Sequence, residues 1–139
     1  MKRILSVILL LTMLCSAGVA TAEAAQPYSD THFQSYGIAM GTIPSGGLHI
    51  VFTVNAKETA QIIGVPYYNV LQKIDGEWVT IAENLVGYQK VDSVSCVFSR
   101  NYLEAESGER YRVRAQMYIK KYDGTYRTID YYSQSYTLE

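Results

Sequence analysis

Two stretches of the chain alternate apolar and polar residues with period two. Leu48, Ile50, Phe52 and Val54 interleave with His49, Val51, Thr53 and Asn55. Tyr111, Val113, Ala115, Met117 and Ile119 interleave with Arg112, Arg114, Gln116, Tyr118 and Lys120. This period places successive side chains on opposite faces of a strand, one toward a core and one toward water or a partner. Similar, shorter runs predict strands near Tyr36–Met40, Tyr67–Lys73, Trp78–Ala82, Lys90–Ser99 and Thr125–Leu138. Gly46-Gly47, Gly87 and Glu104–Gly108 punctuate them. Ala56–Gly64 reads equally as a loop or one helical turn. β-branched and aromatic residues far outnumber Ala, Leu and Met after residue 25, which favours a pleated surface over helix.

Two turns share one grammar. Lys73-Ile74-Asp75-Gly76 and Lys121-Tyr122-Asp123-Gly124 each set Asp-Gly between strand-like runs. A Gly in the last place suits a type I turn closed by a bulge, giving a three-residue loop. At the second turn that loop sets Met117 opposite Ile129 and Ala115 opposite Tyr131, so the apolar faces agree. A two-residue loop would set Met117 opposite Asp130.

The first residues follow a different rule. Lys2 and Arg3 precede an uncharged run from Ile4 to Cys15, and small residues recur at Ala20-Thr21-Ala22 and Ala22-Glu23-Ala24. Twelve helical residues rise about 18 Å, too short for a hydrocarbon core of about 30 Å. The pattern is that of an export signal with a mature start between Glu23 and Gln26. The organisation expected is a signal peptide over 1–25, a flexible leader over 26–34 and one β-sandwich domain over 35–139. The protein is then secreted, extracellular or associated with the cell wall, and meets a membrane only during export. Loss of Cys15 with the signal leaves Cys96 alone, without a disulfide partner. Its strand parity, shared with Val94 and Phe98, predicts burial.

Seven strands at this spacing predict an all-β fold, a two-sheet antiparallel sandwich. Leu103, Gly108 and Tyr111 at the opening of a strand resemble the tyrosine corner of immunoglobulin-like and fibronectin type III-like domains. That resemblance implies a Tyr111 hydroxyl capping the preceding corner. Trp78, just after a hairpin, is similar to their buried core aromatic. The order of Ser35-Tyr36-Gly37, the Asp-Gly-Trp hairpin and Gly108-Glu109-Arg110-Tyr111-Arg112-Val113 resembles small exported Gram-positive proteins of unknown function. The resemblance covers most of 35–138 and implies no catalytic residue.

Chemistry is sparse. The G-x-S-x-G, H-E-x-x-H, P-loop and calcium-loop signatures are absent from the sequence. The only histidines, His32 and His49, are read as surface residues, and Glu104, Glu106 and Glu109 as a solvated loop. No catalytic residue, metal or cofactor is expected, and an enzyme is not. A formal net charge of −1 excludes a polybasic nucleic-acid binder. Tyrosine is the outlier: 13 in the chain, crowded toward its end. On the polar parity of the last hairpin Tyr118, Tyr126 and Tyr132 stand beside Arg112 and Arg114. Tyr and Arg give contact area and directed hydrogen bonds at low entropic cost. These five residues are the candidate binding face for a protein or glycan partner. A merely solvated face, with cross-strand pairs of a few tenths of a kcal/mol, is the plain alternative. A self-associating envelope or matrix component is a second class, and a hydrolase a third. The oligomeric state is left open by the sequence.

Overall fold

The structure, a computed structural model, describes Gln26–Pro27 and residues 30–139. The expected export signal and cleavage site lie outside the described residues. The described chain is all-β and contains no helix. Its strands are β1 (Gln26–Pro27), β2 (Phe33–Thr42), β3 (Leu48–Ile74), β4 (Glu77–Tyr102), β5 (Arg110–Lys120), β6 (Tyr126–Tyr132) and β7 (Tyr136–Thr137). All pairings are antiparallel. The sheet runs β1-β2-β3-β5-β6, with β4 along the other edge of β3 and β7 beside β5.

The expected strands at 48–55 and 67–73 are one strand of 27 residues, and those at 78–82 and 90–99 belong to one of 26. A straight strand of that length would reach about 90 Å, far beyond a domain of this size, so β3 has to bend. The segment 56–64, which alternation did not resolve, is where it does. Between Asn55 and Ala60 the ladder to β4 slips, because β3 carries extra residues there. Between Gly64 and Tyr68 the ladder to β5 slips as well, and Pro66, which has no N–H to give, sits in that gap. The β3 and β4 backbones close up at the same place. A Cβ on Gly64 would meet the Tyr88 carbonyl oxygen at 2.2 Å, and one on Gly87 would meet that of Val65 at 2.0 Å. Only glycine permits this approach.

The bend lets both halves of β3 serve one core. Its first half pairs with β2 and its second half with β5. Leu48, Ile50, Phe52 and Val54 join Ile63, Val65 and Val70, and Tyr111, Val113, Ala115, Met117 and Ile119 of β5 complete the cluster. The period-two inner face predicted for β5 is thus buried throughout. The last strand of the sheet also meets the second: the Tyr36 ring on β2 stands edge-on to Tyr131 on β6, centroids 5.3 Å apart. Each fully buried Phe, Leu, Ile or Val contributes about 1.5–3 kcal/mol through desolvation. Cys96 is buried in the same core, and desolvation raises its thiol pKa despite nearby Lys90. Its companion Val94 is instead half exposed.

The two Asp-Gly turns differ. At β5–β6, Gly124 N–H donates to Lys121 O and Lys121 N–H to Thr125 O, with Gly124 at φ 88°. This is the expected bulged loop, and Met117 pairs with Ile129 and Ala115 with Tyr131. At β3–β4, Ile74 pairs with Glu77 and both Asp75 and Gly76 have positive φ, a two-residue loop. The corner before β5 is capped as anticipated: Glu106 N–H donates to the Tyr111 hydroxyl at 2.7 Å. Trp78 is not in the core but half buried on the outer face.

Candidate functional site

β5 presents Arg112, Arg114, Tyr118 and Lys120 on the face opposite the core, all half buried. Registers fix their neighbours. Arg114 lies opposite Tyr132 on β6 and Asn69 on β3, and Arg112 lies opposite Leu71. Leu71 pairs in turn with Thr80 on β4, one step along the same face from the Lys73–Trp78 pair. The face therefore spans β4, β3, β5 and β6.

On it cations and rings alternate. Lys73 Nζ lies 5.8 Å and Arg112 Cζ 5.2 Å from the Trp78 ring centre. Arg112 Cζ is also 4.5 Å from the Tyr132 ring centre, and Arg114 Cζ is 5.5 Å from it. Arg114 ends the row in an ion pair with Asp130, 2.9 Å. Its hydrogen bond to Asp130, and then the carboxylate charge, raise the Arg114 pKa further. The Lys73 and Arg112 contacts, at partly exposed sites, contribute about 0.5–1 kcal/mol each. The rings hold the guanidinium groups in place and offset their mutual repulsion.

The expected site residues fall into two groups. Arg112, Arg114 and Tyr132 come together. Tyr118 and Tyr126 form a separate pair near the β5–β6 turn, ring centres 6.1 Å apart and 35° inclined. Four residues of strand, about 13 Å, separate Tyr118 from Arg114. Sequence reasoning missed Lys73, Trp78 and Arg110. Trp78 and Lys73 flank the first turn symmetrically, a signal available from a two-residue loop. Their meeting with Arg112 depends on the long-range β3–β5 pairing.

A groove of about 490 Å³ opens beside this row, lined by Lys73, Trp78, Arg110, Arg112, Tyr132 and the 133–135 segment. Ser133 shapes its rim. The Ser133 N–H donates to Val113 O, and the Val113 N–H donates to Ser133 Oγ, so the side chain substitutes for a ladder carbonyl as β6 ends. Chain 134–135 then turns over β5, where Arg110 donates to Ser135 Oγ at 2.7 Å. Nearer the middle of the face a second hollow of about 210 Å³ lies between Tyr67, Asn69, Asn84, Arg114 and Asp130.

A second cluster ties down residues 30–34, expected in the leader. Asp30 accepts from the N–H groups of His32 and Phe33 at 2.7 and 3.3 Å, and pairs with Arg127 at 2.7 Å. Burial alone would raise the Asp30 pKa, but these N–H donors and then the Arg127 charge outweigh it and lower it. His32, read as a surface residue, is buried. Its Nε2 is 3.1 Å from Thr125 Oγ1, and that hydroxyl donates to Asp123 at 2.6 Å. That hydrogen bond, and then the Thr125 N–H, lower the Asp123 pKa. Thr125 can thus only accept from His32, whose Nδ1 is met by Thr31 Oγ1 at 2.9 Å. With Nε2 donating to Thr125, the Nδ1 of a neutral imidazole accepts from the Thr31 hydroxyl, and the cluster fastens the chain to the last turn. His49 is held by Asn101 at 2.7 Å. Among the described residues no group of three or more His, Cys, Asp or Glu is arranged to hold a metal ion.

No family model matches the sequence, and comparison with curated proteins returns no match.

Proposed function

We propose that this chain is an exported, non-catalytic β-sandwich module that binds a partner through the Arg112–Arg114–Tyr132 face. The observation carrying this reading is the cation–aromatic row on the outer side of β5, built on a strand whose other side is wholly core. A folded body needs the inner side. It does not need guanidinium groups pinned between rings on the outer side, and Arg with Tyr and Trp are the types that dominate recognition surfaces. The two-layer, immunoglobulin- or fibronectin type III-like reading of the sheet is supported by the Tyr111 cap and by the Tyr36–Tyr131 contact between β2 and β6. Export is supported by the N-terminal sequence, which also gives the secreted or wall-associated location. Tyr118 and Tyr126 belong to the outer rim of the proposed face. The partner is a protein or glycan of the cell exterior and not a nucleic acid.

The test is Arg114→Ala combined with Tyr132→Ala. The expected result is a cooperative fold with circular dichroism unchanged and retention on the producing cells or their medium components lost. Retention equal to the parent would remove the face from consideration.

A second reading is self-association through β4. Among the described residues that strand pairs with β3 alone, and Val86 and Val91 along it are about 70% exposed. Open edges invite added strands, although Asn84 and Asp92, both at positive φ, break its regularity. Light scattering across concentration separates the readings: a persistent monomer excludes this one.

A further inference from the structure

The groove at the end of the cation–aromatic row carries a more specific reading, which rests on the face proposed above. We infer that it binds an extended acidic peptide segment of a partner protein, with carboxylates at alternate positions over Arg110 and Arg112.

Three observations on the face lead there. Among the described residues the groove is lined by Lys73, Arg110 and Arg112 and by no carboxylate, on a chain whose formal net charge is −1. The cations are therefore local and unneutralised, and they face an open volume. Arg112 is also incompletely satisfied. Its Nε is buried without a hydrogen-bond partner, and it has no ion pair among the described residues. Finally, its guanidinium is clamped between Trp78 and Tyr132, 5.2 and 4.5 Å from the ring centres. A clamped fork loses little freedom on accepting a planar carboxylate, the arrangement in which Arg outperforms Lys.

The same contacts choose among anionic ligands. Cations occupy faces of both Trp78 and Tyr132, which disfavours stacking of sugar rings there. Spacing favours a peptide. Arg110 and Arg112 are two residues apart on one strand, about 6.8 Å, and an extended peptide repeats its side chains on one face at the same interval. A segment lying along β5 would set every second side chain over the next cation. Arg114 continues the series but is already neutralised by Asp130, so it limits the acidic stretch.

Trp78 is the single tryptophan of the chain, so its emission reports on the groove without a label. The purified chain is titrated at low salt with a blocked hexapeptide alternating Glu and Thr. Parallel titrations use its isomer with Glu at positions 1, 2 and 5, in which no two carboxylates lie two residues apart, an all-Gln hexapeptide and polygalacturonate. Peptide anisotropy serves as a second readout. The expected result is saturable binding that weakens as salt rises, several-fold tighter for the alternating peptide than for its isomer. Arg112→Gln is expected to weaken it about tenfold or more, a loss typical of a bidentate charged contact. Lys73→Gln should weaken it less and Lys57→Gln not at all; Lys73→Gln keeps the test open if Arg112→Gln fails to fold. Absence of saturable peptide binding overturns the inference, as does equal binding by Arg112→Gln and Lys73→Gln. Polygalacturonate bound through Arg112 in place of the peptide overturns it in favour of a glycan. If the peptide fails while Arg114→Ala with Tyr132→Ala still abolishes retention on cells, only the ligand class falls. If both fail, the recognition face falls with it.

Discussion

The two sides of β5 use the same eleven-residue strand for different ends. On one side Tyr111, Val113, Ala115, Met117 and Ile119 are at most 1% exposed and fill the space between the bent halves of β3. On the other, Arg112 and Arg114 lie among Trp78, Tyr132 and Asp130. The inner side is fixed by volume: any change leaves a cavity or a clash. The outer side is fixed by charge and ring geometry, which add little to stability and carry the recognition proposed for this face. Alternation in a strand thus separates the residues that make the fold from those free to act on another molecule.

The harshest way to break this comparison leaves β5 intact and attacks the bend on which both sides depend. Gly87→Ala would force a Cβ to within 2.0 Å of a backbone oxygen. It should cost about 3 kcal/mol or more, with both the core and the outer row lost together in urea unfolding. On the inner side alone, Met117→Ala should cost about 2–5 kcal/mol, read as a lower unfolding midpoint with the same slope.

Asp30→Ala should cost about 2 kcal/mol, because it strips the acceptor from two backbone N–H groups and the partner from an Arg127 contact. Its pH dependence has a definite sign. The folded pKa of Asp30 is lowered from 3.8, so the stabilisation is present above that value and is lost as pH falls through the folded pKa. Acid titration of stability should therefore fall less steeply below pH 3.8 in Asp30→Ala than in the parent. Tyr111→Phe keeps the ring but takes the acceptor from the Glu106 N–H, and should cost about 1 kcal/mol by thermal melting. The smallest effect on stability belongs to the outer side: Arg114→Ala with Tyr132→Ala should move the unfolding midpoint by a few degrees at most.

Much of this division was legible in the sequence because it is local. The inner face of β5, the bulged turn and the Met117–Ile129 register follow from period and loop length alone. The continuity of β3 did not, because extra residues at 56–59 and the Gly64–Pro66 gap break alternation where the strand bends. The first Asp-Gly turn took two residues where three were expected. Sequence grammar is the same at both, and the pairing partner of each strand decides. Arg112, Arg114 and Tyr132 were visible as a group because one hairpin carries them. Trp78, Lys73 and Arg110 completed the groove only through the β3–β5 pairing and the turn at Ser133. Asp30 and His32 passed as polar leader because their partners, Thr125 and Arg127, lie more than 90 residues away.

Adjacent residues of β5 offer the most direct test. Val113→Ala and Arg112→Gln are compared for thermal unfolding and for binding of the alternating acidic hexapeptide, well below the melting range. Val113→Ala should lose about 2–3 kcal/mol, about 10 °C in midpoint, and bind as the parent does. Arg112→Gln should lose about 1 kcal/mol with its ring contacts, and bind at least tenfold more weakly. A peptide affinity that falls with Val113→Ala and survives Arg112→Gln would contradict the assignment of packing to one side of the strand and recognition to the other.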